Sequence, residues 1–175
     1  MKNIVATLSL LFATTLSAQV AIGKATVSSP AVSLEFYDNA DNTRGIILPW
    51  VTSTAAVTGA VNGTIVYNTA DRKVYVKYAS GWRDLSVDNT GTVTTTLQDS
   101  LTDQDTAKVL IGGDPATDTT PGILVLADTN KAMVLPKVAS PHLKIVNPSP
   151  GMMVYDTTKK QLAVFNGTVW SFWKP

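Results

Sequence analysis

Apolar and polar positions alternate in short runs along this chain, and the runs return in the same order. Gly63 to Trp82 reads GTIVYNTADRKVYVKYASGW, and Gly151 to Trp170 reads GMMVYDTTKKQLAVFNGTVW. Gly63/Gly151, Val66/Val154, Tyr67/Tyr155, Thr69/Thr157 and Trp82/Trp170 coincide. Each copy predicts a β-hairpin: an apolar strand ending near Tyr, a polar turn (TADR or TTKK), then an alternating strand. In Lys73–Tyr78 the period of two puts Val74, Val76 and Tyr78 on one face. Asn166-Gly167 offers the positive φ angles of a tight turn, after which the second copy reaches its Trp.

The repetition extends upstream. Gly45-Ile-Ile-Leu-Pro-Trp-Val-Thr-Ser53 pairs with Ala132-Met-Val-Leu-Pro-Lys-Val-Ala-Ser140, and Val20-Ala-Ile-Gly23 pairs with Val109-Leu-Ile-Gly112. Between these lie alternating runs, one of which (Ala31–Tyr37) places Val32, Leu34 and Phe36 on one side. Internal repeats of this kind decide the fold class. The chain divides into a leader over 1–18, a first β-repeat over 19–86, a Thr/Asp-rich polar linker over 87–107 and a second β-repeat over 108–175. Thr52–Val61 has room for one or two helical turns, and Gly91–Thr95 for one strand in an otherwise exposed linker. The expected architecture is all-β, with hairpin-rich repeats forming small sheets or a sandwich that buries Val66, Tyr67, Val74, Val76, Val154, Tyr155, Leu162 and Val164.

Composition narrows the class. Lys2, the apolar run Ile4–Ala13 and Leu16-Ser-Ala18 before Gln19 fit a secretory signal, too short and Thr/Ser-broken for a membrane span. The exported chain is expected at the cell surface or outside the cell, with the periplasm as a further destination. With 14 Lys+Arg and 13 Asp+Glu, the chain offers no electrostatic case for nucleic acid. It holds no Cys and one His, so neither disulfides nor a Cys/His metal site can staple it. Repeats of about 65 residues are marginal alone. Stability must come from the repeats packing together or from association between chains.

The two copies resemble a repeat of secreted and surface proteins of Bacteroidetes bacteria and of phage tail-fibre-like proteins. The motifs that carry the likeness are an IG…P opening, a G-x-x-x-P box and a G-x-x-V-Y-[ND]-T…N-G-x-x-W hairpin. They stand here as Gly45–Pro49, Gly63–Thr69, Pro148–Thr157 and Val164–Trp170. The box departs from the pattern where Trp50 and Lys137 replace its Arg. The resemblance implies a structural or adhesive extracellular element, in assemblies that are often trimeric, and implies no chemistry. It also implies candidate O-glycosylation at Ser100, Thr106, Thr119 and Thr157, each of which follows an Asp.

Enzyme signatures are missing from the sequence. His142 has no local Asp or Ser motif, no G-x-S-x-G elbow or phosphate loop occurs, and no cofactor or metal is expected. The Asp38-Asn39-Asp41-Asn42 cluster lacks the spacing of a calcium loop and reads as turn capping. Trp82 and Trp170 recur at one repeat position and read as packing, whereas Trp50 and Trp173 have no Trp counterpart. These two are the candidates for an exposed contact, stacking on a sugar or sitting at an oligomer seam. The leading expectation is a non-enzymatic structural or adhesive protein that self-associates. A carbohydrate-binding module on a surface glycan, or an accessory subunit docked on an outer-membrane protein, are the alternatives.

Overall fold

The computed structural model describes residues 19–102, 104 and 106–174; the leader expected over 1–18 lies outside them. Fourteen short strands run through the described residues, and the second seven repeat the first seven in order. The first set is β1 (Val20–Ile22), β2 (Val32–Phe36), β3 (Ile46–Ile47), β4 (Trp50–Val51), β5 (Ile65–Asn68), β6 (Lys73–Tyr78) and β7 (Gly81–Asp84). The second is β8 (Val109–Ile111), β9 (Leu124–Leu126), β10 (Ala132–Val134), β11 (Lys137–Val138), β12 (Met152–Asp156), β13 (Gln161–Phe165) and β14 (Trp170–Trp173). A 3-10 turn at Thr54–Ala56 and a four-residue helix, α1 (Pro141–Lys144), are the helical elements among the described residues. The fold is all-β, as the alternation requires.

Each repeat opens with a parallel pair, β1 with β2 and β8 with β9. Each closes on an antiparallel meander, β5-β6-β7 and β12-β13-β14, flanked by a parallel strand, β4 or β11. Alternation predicted the meanders; proline explains the flanks. Pro49 and Pro136 have no N–H to continue a ladder, so each box breaks into two strands, β3/β4 and β10/β11. The proline carbonyls still accept, from the N–H of Tyr67 and of Tyr155, both at 2.9 Å.

The two meanders share one core. Leu48, Tyr67, Val74 and Leu85 of the first repeat pack with Met153 and Val164 of the second. A smaller cluster of Val138, Met152, Val154, Ala163 and Phe165 backs the second meander. Of the residues expected in the core, Val66, Tyr67, Val74, Val154 and Val164 are buried, while Val76, Tyr155 and Leu162 are half-buried. Tyr78, at the tip of its strand, is exposed. A chain without disulfides thus doubles its core by apposing two marginal sheets.

The linker differs from its expectation in its first third. Gly91 lies in no strand, yet it is buried, and a side chain there would meet the carbonyl of Asn166 and the Arg72 backbone. Around it, Asn166 Nδ2 donates to Asp88 Oδ1 at 3.0 Å, Thr168 Oγ1 to the Thr90 carbonyl at 3.0 Å, and Thr92 Oγ1 to that of Gly167 at 3.1 Å. The segment binds the second hairpin through polar side chains that donate to backbone carbonyls and to the Asp88 carboxylate, a pairing that hydropathy does not reveal. From Thr96 onward its described residues are exposed.

Candidate self-association surface

The repeats are tied by an exchange of box strands. β3 of the first repeat pairs antiparallel with β12 of the second, Ile46 opposite Met153 and Ile47 opposite Met152. β10 of the second repeat pairs parallel with β2 of the first, with Met133 opposite Leu34 and Val134 opposite Glu35. Gly45 permits the first approach: a Cβ there would lie 2.6 Å from Val154 and 2.7 Å from Met152. No hydropathy pattern encodes the exchange. The readable signal is the box proline, which frees the two halves of each box to choose different neighbours.

Side chains reinforce the seam. Tyr67 is fully buried and its hydroxyl donates to the Asn166 carbonyl at 2.7 Å; burial pushes its pKa up to about 12. Gly151, at φ +77°, lies against that ring, where a Cβ would come within 2.8 Å of Tyr67 Cβ. The β10-covered sheet holds a buried carboxylate, Glu35. Burial pushes its pKa up, but the Ser28 N–H at 2.5 Å and the Lys24 ammonium at 3.1 Å outweigh it, so the group titrates below its ordinary range. Lys24 and Lys137 also pair with Asp38, at 3.2 and 3.4 Å, drawing its pKa down. The Asp38–Asn42 segment is thereby committed to ion pairs and turn hydrogen bonds, with Asn42 Nδ2 donating to the carbonyls of Tyr37 and Lys137 at 3.1 Å.

The residues singled out from sequence fall in three places. Trp50 is half-buried against Tyr67, and its Nε1 donates to the Pro150 carbonyl of the other repeat at 2.9 Å. Trp173 does the reverse, donating Nε1 to the Leu85 carbonyl while the Arg83 guanidinium stands 5.5 Å from its ring centre. Both indoles sit at the seam between repeats, and Trp50 also borders an open cleft of about 290 Å³ with Thr92, Val93 and Pro150. Ser100, Thr106, Thr119 and Thr157 are all exposed; Asp105, which precedes Thr106, lies outside the described residues. His142 is exposed on α1, edge-on to Phe172 at 5.7 Å. Among the described residues no group of three or more His, Cys, Asp or Glu could hold a metal ion, and no helix is long and apolar enough to cross a membrane.

What the surface does carry is apolar strand edge. Ile47, Val109, Ile123 and Leu124 are exposed, all on short strands or next to them. Beside β3 runs an open cavity of about 570 Å³ lined by Ile22, Phe36, Tyr37, Asn42, Arg44 and Gly45. These features suit recognition of another chain more than of a small molecule.

Comparison with known proteins bears on the same half of the chain. Residues 114–174 match the family described as a phage tail like trimerisation region. That stretch is similar to a tail-fibre element. It takes in β9 to β14, the second repeat from its second strand onward, and it supports a structural, tail-fibre-like protein rather than an enzyme. Neither the curated proteins nor the solved structures gave a match.

Proposed function

We propose that this chain is the structural subunit of an exported, trimeric, fibre-like assembly that is displayed at the cell surface and makes adhesive contacts there. The match of residues 114–174 to a trimerisation region carries the reading. The apolar edges of β3, β8 and β9 support it, because strands left open in one chain are the material of association between chains. A signal-like leader supports export. Ser100 and Thr106, on the exposed linker, are where O-glycosylation is proposed.

Display is tested by labelling intact cells with a membrane-impermeant amine reagent. Lys159 and Lys160, exposed in the turn between β12 and β13, give it targets. Modification of both lysines before lysis is the expected result. Labelling that appears only after lysis would contradict surface display.

A further inference from the structure

The internal step from the first repeat to the second leaves matching halves at the two ends of the chain. β2 is covered on one edge by β1 and on the other by β10. Its counterpart β9 is covered by β8 alone among the described residues. The parallel registers make Leu34 equivalent to Leu124, since each stands opposite the first residue of its partner strand, Val20 or Val109. Leu34 is 1% exposed and Leu124 is 46% exposed. The buried residue is on the strand with two neighbours and the exposed one on the strand with one.

The strand that would complete β9 is a box strand from a following repeat, and the first repeat of another copy supplies one. β3 corresponds to β10 through Gly45–Pro49 and Ala132–Pro136. It uses one edge on β12: the Leu48 N–H donates to the Gly151 carbonyl at 3.1 Å. In an antiparallel ladder alternate residues face opposite edges, so Ile47 turns its own N–H and carbonyl away from β12. Ile47 is 52% exposed. The hairpins show the same asymmetry, for Gly151 is filled by Tyr67 whereas Gly63 has no atom within 4 Å of where its Cβ would be.

We propose that a second copy of this chain docks head-to-tail, adding the free edge of its β3 in parallel to the open edge of β9 and so reproducing the β10–β2 contact between chains. Transfer of the β10–β2 register puts Ile46 of one copy opposite Leu124 of the other, and Ile47 opposite Val125. The contact joins two different surfaces, and such heterologous contacts form a ring where the rotation between copies closes and a filament where it does not. The proposal rests on the self-association reading and adds to it the strands that meet.

The chain has no Cys, so introduced thiols are unambiguous. Ile47→Cys and Val125→Cys chains, co-expressed and oxidised, are expected to give a disulfide joining the two peptides, which neither variant gives alone. Hydrogen exchange of the unaltered chain checks the same contact without substitution: the amides of Leu124–Leu126 should slow by about tenfold or more on assembly. An assembly that forms with those amides still fast and no mixed disulfide would overturn the β3–β9 pairing and leave self-association standing. A chain that stays monomeric at every concentration would overturn both.

Discussion

Tyr67 concentrates the chemistry that joins the repeats. Its ring fills the space left by Gly151, and its hydroxyl satisfies a carbonyl that would otherwise be buried unpaired. Removing only the hydroxyl leaves the Asn166 carbonyl without that donor. Tyr67→Phe is therefore expected to cost about 1–2 kcal/mol, read as a lower urea midpoint with an unchanged slope. An unchanged midpoint would mean that the seam depends on packing alone. That Tyr67 would be buried was legible from alternation and from its recurrence as Tyr155. Its partner was not, because Asn166 accepts through a backbone carbonyl, and every residue has one. Trp50 and Trp173 illustrate the same limit: their lack of Trp counterparts marked them as special, but only the fold shows each donating to the opposite repeat.

At the scale of elements, the hairpins were legible and the partners of the box strands were not. Period-two patterns over Lys73–Tyr78 and Gln161–Phe165 define the meanders, since one face of each is buried by the other repeat. β3 and β10 are two and three residues long, too short for any periodicity to identify, and their neighbours come from the other repeat. The linker's tie to the second hairpin escaped for a related reason: it is made by Thr, Asp and Gly, the residues of loops. The sheet that β10 completes carries a pH dependence. Glu35 titrates below its ordinary value of 4.5 in the folded chain, where Lys24 and the Ser28 N–H hold it ionised. Below that value the unfolded chain takes up the proton first. The stabilisation is thus complete above the ordinary pKa and is lost as pH falls through the lowered one. Asp38, likewise lowered by Lys24 and Lys137, adds to the same acid limb. Urea unfolding at pH 7 and pH 3 should give a larger loss in the parent than in Glu35→Gln. Equal losses would remove Glu35 from the acid limb.

As a whole, the molecule joins two repeats by a step that is not its own inverse. The first box strand goes to the second hairpin, while the second box strand goes to the first parallel pair. A two-fold exchange would have closed the chain on itself; this one leaves β9 open at one end and the outer edge of β3 at the other. The repetition itself was plain in the sequence, and so was the need for packing between repeats in a chain without Cys. The direction of the step, and with it the unmatched ends, is visible only in the fold. Unmatched ends of this kind have a function only if chains of 18.6 kDa associate. Light scattering on the chain across a dilution series measures this directly. A mass of about three chains that resists dilution is the predicted result, from the match of residues 114–174 to a trimerisation region and the capacity of heterologous contacts to close a ring. A mass of one chain throughout would contradict it, and would leave the two-repeat core as the complete structure.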